Sequence, residues 1–135
     1  MIDDVLGAIG IASLNIRPAD TCLAQGINDL PTIAAPTAIL MMEGAVNAAL
    51  QEYLLNEEST VTLKNNLRML GFAGVGSDLQ ANAKCVEVND DELKFEIEVY
   101  CATRLIAQGE IVRKVVDRIT LTAKIAAQGL IDHPN

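Results

Sequence analysis

The pattern of apolar and polar residues changes its period several times along the chain. Residues 11–17 (IASLNIR) predict a first short strand. Pro36 favours the start of one long helix at about 36–54, because proline is well suited to the first helical turn. The run over 38–50 is apolar on most of its faces, which is typical of a helix that other structure surrounds.

Strand-like segments follow the helix, and their bounds are 60–70, 77–88, 92–101 and 105–117. Residues 92–101 alternate regularly between apolar and charged side chains, which is the period of a half-buried strand. In the segment before it the alternation slips by one position at Cys85 and Val86, which predicts a β-bulge there. The tail over 119–130 is compatible with a short helix.

One strand, one surrounded helix and then a run of long antiparallel strands define an α+β order. The arrangement that satisfies these patterns is a single domain over 1–135, in which a long antiparallel sheet wraps around one central helix. Such a sheet leaves strand edges open and covers only one side of its helix. We therefore expect a homodimer, with pairing of dimers into a tetramer as a further option.

Composition and charge narrow the class of partners. The formal net charge is −8, and the chain has two Phe, two Tyr and no Trp. Negative charge repels nucleic acid and anionic membrane surfaces, and aromatic surfaces for base stacking are scarce. Asp3 and Asp4 stand where a signal peptide would be basic, and no apolar run is long enough for a membrane helix. We expect a cytoplasmic protein without nucleic-acid or membrane partners.

The residues that usually bind metals are few and scattered. Cys22, Cys85 and Cys101 have no metal-binding spacing, and such an odd set predicts reduced thiols. The one histidine, His133, lies close to the end of the sequence. We therefore expect neither a metal site nor a cofactor.

Glu43 is the most informative position of the sequence. At about 100° per residue it falls within a helical stripe of large apolar residues, which are Ile39, Met42, Val46, Leu50 and Tyr53. A charged carboxylate in such a stripe is costly to bury unless it is paired, hydrogen-bonded or beside a wet cavity. Two hypotheses follow: Glu43 is a general base or acid, or it is a polar anchor bonded to backbone or to an arginine.

The start of the long helix offers a second group of candidates. Free N–H groups at a helix start suit a carbonyl oxygen or an oxyanion, and Thr37 would add a hydroxyl there. The other interpretation is that Thr37 is an ordinary first-turn residue, since Ser and Thr favour helix starts.

Asn65 is a third candidate. On the parity of Leu63, Leu67 and Met69, its amide faces inward, where it would bind a substrate carbonyl, position a water or satisfy local backbone groups. The glycines that follow in GFAGVG, beginning at Gly71, predict a turn or a bend of the sheet rather than a phosphate loop.

The sequence resembles the hotdog-fold thioesterases close to fluoroacetyl-CoA thioesterase. The resemblance covers roughly residues 12–118 and rests on three stretches, which are APTAILMMEGA, LRMLGFAGVGSDLQANAKCVEV and ELKFEIEVYCATRLIAQGEIVRKVV. It implies a hotdog fold and an acyl-CoA or similar thioester ligand. The cations available for a phosphate-bearing ligand are Lys64, Arg68, Arg104, Arg113, Lys114 and Arg118. The other interpretation of these six residues is a scattered, solvated surface.

In that family a helix Glu, a Thr or Ser at the helix start and a strand His act together on the thioester. Glu43 matches the Glu, but Ala35 stands at the Thr or Ser position and Met69 at the His position. Thr37 is a candidate stand-in, and Met69 suits an apolar pocket wall. The resemblance therefore implies one of two functions. The first is a thioesterase in which Glu43 activates water and N–H groups near Thr37 or Gly71 polarise the carbonyl. The second is a catalytically silent dimer that binds an acyl-CoA or another apolar ligand.

Overall fold

The computed structural model describes residues 2–134. Two short 3-10 helices, Ile2–Val5 and Pro18–Asp20, lie before and after the first strand. The remaining elements, in chain order, are β1 (Ile9–Asn15), α1 (Cys22–Gln25), α2 (Ala35–Leu50), β2 (Glu58–Asn65), β3 (Arg68–Met69), β4 (Asp78–Asn89), β5 (Glu92–Cys101), β6 (Arg104–Asp117) and α3 (Arg118–Asp132).

The strands form one antiparallel sheet in the order β1-β4-β5-β6-β2, and β3 pairs with the other end of β6. Helix α2 packs against β1, β4 and β5. The side chains of Met42 and Val46 on α2, and of Phe95 and Val99 on β5, are completely buried between helix and sheet. The predicted α+β arrangement, a long antiparallel sheet around one central helix, is confirmed.

Helix α2 lies unusually close to β1. A Cβ on Gly10 would overlap the carbonyl oxygen of Ala45 and the backbone nitrogen of Ala49, so only glycine fits at this position. Ala12 and Gly44 also face each other across this contact. Small residues on both elements thus set the distance between the helix and the sheet.

The bulge predicted near Cys85 and Val86 is confirmed. Cys85 pairs with Phe95 and Glu87 pairs with Lys94, which leaves Val86 without a counterpart on β5. The extra residue restores the inward face of β4 after the slip in alternation.

A second bulge, in β2, was not predicted. Thr62 pairs with Arg113 and Lys64 pairs with Val112, so Leu63 is the extra residue on β2. The expectation that Leu63 faces inward is therefore wrong, and its side chain is 52% exposed. Because the bulge resets the alternation, Asn65 still faces inward as predicted, and Lys64 points outward.

The predicted bounds also differ from the structure elsewhere. The first strand, expected over 11–17, is β1 at Ile9–Asn15. The single strand expected over 60–70 is two strands, β2 and β3, and between them the Asn66 N–H donates to Glu110 O at 2.9 Å. The long helix ends at Leu50 rather than near 54, where turns follow it. In the described part of the chain, no helix is both long and apolar enough to cross a membrane.

Candidate functional site

Glu43 lies on α2 and forms an ion pair with Arg113 of β6. The distance between Arg113 Nη2 and Glu43 Oε1 is 2.7 Å, and Arg113 Nε donates to the same oxygen at 3.1 Å. The Arg113 side chain is 7% exposed and that of Glu43 is 23% exposed. The cost of placing a carboxylate on this side of the helix is therefore offset by a buried cation.

All five N–H donors of Arg113 have acceptors. Besides Glu43 Oε1, Nη2 donates to the Glu43 carbonyl at 3.3 Å, while Nη1 donates to Asn47 Oδ1 at 3.0 Å and to Thr60 Oγ1 at 2.8 Å. A guanidinium has five donors, so this arginine has none left for a ligand anion. Arg113 holds Glu43 in place.

Thr62 completes the surroundings of the carboxylate. Its hydroxyl lies 2.8 Å from Glu43 Oε2 and 3.0 Å from Oε1, and its one proton goes to one of them at a time. Oε2 receives no bond from Arg113, so at least one of its lone pairs is free. Oε2 is therefore the atom of this carboxylate that can accept a proton from a bound molecule.

An open cleft lies directly over this carboxylate. Its volume is about 560 Å³, and its walls come from α2, the turn after α2, β2 and β6. Polar groups of Glu43, Asn47, Thr60, Thr62 and Arg113 line one wall, and Leu50 and Leu54 are the apolar part. The cleft offers a fixed carboxylate and hydroxyls to a polar ligand, or to water beside an acyl group.

Glu43 was predicted from the sequence, but its partners were not. Arg113 lies between the apolar pairs Ile111–Val112 and Val115–Val116, and its side chain has the same inward parity as Ile111. A charged residue at an inward strand position must find a counter-charge. That signal alone would have paired it with Glu43, the one acidic residue within the apolar helix stripe.

The hydroxyl of Thr37 is already engaged. It donates to Asp20 O at 3.3 Å and accepts from Gln25 Nε2 at 2.8 Å, and the Thr37 N–H donates to Ala34 O at 3.0 Å. This geometry is that of a residue fixing the helix start. Ala35 is the first residue of α2, and its N–H has no acceptor within the helix.

Asp20 connects the loop before α2 to the helix start. Its carbonyl accepts the Ala34 N–H at 2.9 Å, and its carboxylate accepts from the side chain and the N–H of Arg17. The bond from the Arg17 side chain, and then that from the Arg17 N–H, lower the pKa of Asp20. The charged form of Asp20 thus helps to hold the first turn of α2.

The N–H of Gly71 is also occupied, because it donates to Ile106 O at 3.1 Å. Gly71 and Met69 lie far from Glu43 within one chain. Met69 pairs with Ala107 and Thr62 with Arg113, six residues apart on β6, which is about 20 Å at the rise of a strand. One chain therefore does not bring Met69 or Gly71 to its own Glu43.

The amide of Asn65 is buried and has no hydrogen-bond partner on either Nδ2 or Oδ1. The interpretation that this amide satisfies local backbone groups is therefore wrong. It is the next inward side chain of β2 after Thr62, since Leu63 is the bulged residue. A buried amide without partners costs about 1–3 kcal/mol, and such a group calls for an explanation.

Four of the six candidate cations make bonds elsewhere in the chain, and they are Arg104, Arg113, Lys114 and Arg118. Lys64 and Arg68 are exposed on β2 and β3, and neither makes an ion pair within residues 2–134. They are the cations that remain for a ligand phosphate.

The chain matches one protein family and is similar to several solved structures. Residues 16–119 match the family described as FlK: Fluoroacetyl-CoA-specific thioesterase. No curated protein sequence matches the chain.

Several solved structures share the fold. A thioesterase superfamily member of Thermus thermophilus, the hypothetical protein TTHA0967, is similar at a TM-score of 0.88, with 16% identity over 96% of each chain. The fluoroacetyl-CoA thioesterase FlK is similar at a TM-score of 0.82, with 17% identity over 90% of this chain and 95% of that one. A hot-dog-like protein from Thermanaerovibrio acidaminovorans gives a TM-score of 0.85 and 14% identity over 94% and 96%. The expected hotdog fold is confirmed.

Proposed function

The chain belongs to the FlK family of fluoroacetyl-CoA-specific thioesterases, and on that premise we propose that it hydrolyses an acyl-CoA thioester with Glu43 as general base. One observation carries the proposal, namely that Glu43 lines an open cleft with an oxygen, Oε2, that Thr62 holds in place and Arg113 leaves unbonded. A general base needs such a fixed, available atom.

The reaction uses one water and no other reactant. Oε2 takes a proton from the water, whose oxygen bonds to the thioester carbonyl carbon and gives a tetrahedral oxyanion. The carbon–sulfur bond then breaks, and the leaving thiolate takes the proton back from Glu43. The products are the free acid and coenzyme A. Arg113 and Thr62 keep the carboxylate in one orientation through these steps.

The oxyanion also needs a hydrogen-bond donor, and the N–H of Ala35 is the best candidate. Ala35 precedes Glu43 by eight residues on α2, which is about 12 Å along the helix axis. Donor and base must both reach the same carbonyl group, so they come from different copies of the chain. A homodimer in which the second copy completes the cleft meets this requirement. The sheet edge formed by β2 and β3 is unpaired within one chain, so it is available for contact with the second copy.

The same dimer gives a role to residues that lie far from Glu43 within one chain. The second copy's Met69 and Gly71 would form the apolar wall of the acyl pocket, beside the buried amide of Asn65. Lys64 and Arg68, on the open edge, would bind the phosphates of coenzyme A. A mutant of FlK has been solved in complex with acetyl-CoA, which supports this ligand class.

A second candidate function is a dimer that binds an acyl-CoA, or another apolar ligand, without turnover. The observation that favours it is the ion pair itself, because a Glu bonded to a buried Arg also suits a purely structural anchor. Ala35 and Met69, which stand where the family resemblance implies a hydroxyl and a His, agree with it. This candidate predicts that acyl-CoA raises the melting temperature and is recovered intact.

A panel of acyl-CoA thioesters tests both candidates. Hydrolysis is followed by the loss of thioester absorbance, which the three native cysteines do not disturb. We expect turnover that falls by about 10²- to 10⁴-fold in Glu43→Gln, the usual contribution of a general base. Glu98→Gln, an exposed carboxylate on the opposite side of the sheet, is the matched control. Turnover no faster than in buffer, together with binding, would leave only the second candidate.

A further inference from the structure

Two side chains of the cleft over Glu43 take no part in the proposed hydrolysis. Arg113 Nη1 donates to Asn47 Oδ1 at 3.0 Å and to Thr60 Oγ1 at 2.8 Å, and both residues line the cleft. A guanidinium has only donors, so it fixes which atom each of these side chains turns toward it. The bonds to Arg113 therefore also fix what Asn47 and Thr60 offer to a bound molecule.

Asn47 offers two N–H donors to the cleft. Its amide oxygen accepts from the guanidinium, so the Nδ2 amino group lies on the other side of the amide. Within residues 2–134, Nδ2 donates to no acceptor, and Asn47 is exposed on the side of α2 that lines the cleft. Both donors are therefore available to a ligand.

Thr60 offers one O–H donor at the same place. Its oxygen accepts from Arg113, so its own proton points elsewhere, and the described part of the chain gives that proton no acceptor. Asn47 Oδ1 and Thr60 Oγ1 are no more than about 6 Å apart, because both accept from one nitrogen. The cleft thus has two neighbouring donor groups that one arginine holds in place.

The ligand group that fits two neighbouring donors is an oxygen with two free lone pairs. A carbonyl oxygen accepts two hydrogen bonds and carries no proton that needs an acceptor of its own, whereas a hydroxyl does carry one. A carboxylate would bring a second negative charge beside Glu43, whose arginine partner has no donor left. The donors therefore favour a neutral oxo group in the acyl chain.

The place of the donors relative to Glu43 sets the position of this oxo group. Asn47 follows Glu43 by four residues, which is about 6 Å along α2. The thioester carbon has to stay beside the water that Glu43 activates, and a hydrogen bond to the donors takes up about 3 Å. About 3 Å then remains between the thioester carbon and the oxo oxygen, which standard bond lengths give for an oxygen on the third carbon. Leu54, also in the cleft wall, would contact the end of a short chain.

We propose that Asn47 and Thr60 are specificity-determining residues that select 3-oxoacyl thioesters over alkanoyl thioesters of the same length. This selectivity rests on the proposed thioesterase function, since it concerns the acyl group in the same cleft. An alkanoyl chain would displace water from both donors and give them no acceptor in return. Relative to their rates in buffer, we expect kcat/KM for 3-oxobutyryl-CoA to exceed that for butyryl-CoA by about 10-fold or more.

Asn47→Asp is the most informative variant, because a carboxylate still accepts from Arg113 but has neither N–H donor. We expect the ratio of the two kcat/KM values to fall by about 10-fold or more in this variant, since a carboxylate repels the oxo oxygen. Thr60→Val should also lower the ratio, and Thr60→Ser, which keeps the hydroxyl, should restore it. Gln80→Glu adds the same charge at an exposed position of β4 and is the matched control, in which the ratio should be kept. Comparison between variants cancels the different intrinsic reactivities of the two thioesters.

The outcomes separate the selectivity from the thioesterase function, which the wider acyl-CoA panel tests. If the two thioesters are hydrolysed and their ratio is the same in wild type, Asn47→Asp and Thr60→Val, the selectivity is wrong and the thioesterase function stands. If neither thioester is hydrolysed, calorimetry with the same pair decides. Tighter binding of 3-oxobutyryl-CoA than of butyryl-CoA, lost in Asn47→Asp, would support the selectivity for a protein that binds without turnover. Equal binding, or no binding of either thioester, would overturn it.

Discussion

The Arg113 guanidinium lies against Glu43 with Nη2 2.7 Å from Oε1, and it also donates to the backbone carbonyl of the same residue. One arginine thus fixes both the side chain and the backbone of one helical turn. Asn47, one turn further along α2, accepts from the same guanidinium. The strand β6 is tied to α2 at two successive turns, and the carboxylate cannot rotate without breaking several bonds.

Removal of the arginine should therefore destabilise the folded chain. We expect Arg113→Met to lower the free energy of unfolding by about 3 kcal/mol, since breaking a buried ion pair leaves a charge without its partner. The figure is at the low end of the usual range because Glu43 is 23% exposed. Urea denaturation measures it. The double variant Glu43→Leu/Arg113→Met should recover most of the loss. A single-variant loss below about 1 kcal/mol would show that the pair contributes as little as an exposed one.

Substitution of Asn65 should raise the free energy of unfolding, whereas substitution of Arg113 should lower it. We expect Asn65→Leu to raise the free energy of unfolding by about 1–2 kcal/mol, because a buried amide without partners is replaced by an apolar group of similar size. If Asn65 also binds the acyl group, the same variant should lose turnover while it gains stability. Asn66→Leu, the exposed neighbour, is the control and should bring no gain. Destabilisation by Asn65→Leu would mean that an internal water already satisfies the amide.

Gly10 should be the glycine that tolerates substitution least. We expect Gly10→Ala to cost about 3 kcal/mol or more, since the added methyl group would overlap the backbone of α2. Gly129→Ala is the matched control, because nothing lies near its Cβ position in α3 and alanine is the better helix former by up to about 1 kcal/mol. Thermal unfolding of both variants measures the difference. Equal melting temperatures would contradict the close contact between β1 and α2.

Acid should weaken the start of α2 through Asp20. The bonds from Arg17 lower the pKa of Asp20 in the folded chain, so its stabilisation is complete above the unfolded value of about 3.9 and is lost as pH falls through the folded value. We expect the melting temperatures of wild type and Asp20→Asn to converge over that range. Glu52→Gln, an exposed carboxylate, is the comparison. A difference that stays constant from neutral to acidic pH would exclude this role.

The sheet and its central helix were predictable because alternation and helical period depend only on neighbouring residues. Strand β5 has the predicted bounds, and the slip at Val86 identified a real bulge. The bulge at Leu63 escaped prediction because the residues around it, unlike those around Val86, do not break the apolar pattern. An apolar side chain at an edge strand fits either face, so the pattern did not reveal its exposure.

Of the residues that form the candidate site, only Glu43 was singled out from the sequence as a member of it. Glu43 was visible because a carboxylate within an apolar stripe conflicts with the pattern around it. Thr60, Thr62 and Asn47 are ordinary residues in their own segments, and they matter only because the fold brings them to Arg113 and Glu43. The engagement of the Gly71 N–H with Ile106 depends on how β3 meets β6, which no local pattern reveals.

The bulged residue of β2 also decides how this strand responds to a change in length. With Leu63 present, the inner face carries Thr60, Thr62 and Asn65, and a chain shortened by that one residue would keep the same three inside as a regular strand. Loss of Lys64 would have the same effect with Leu63 in the outward position, whereas loss of Val61 would shift the order of every side chain on one flank. The strand thus tolerates a one-residue deletion between Thr62 and Asn65, where the lining of the cleft is left intact.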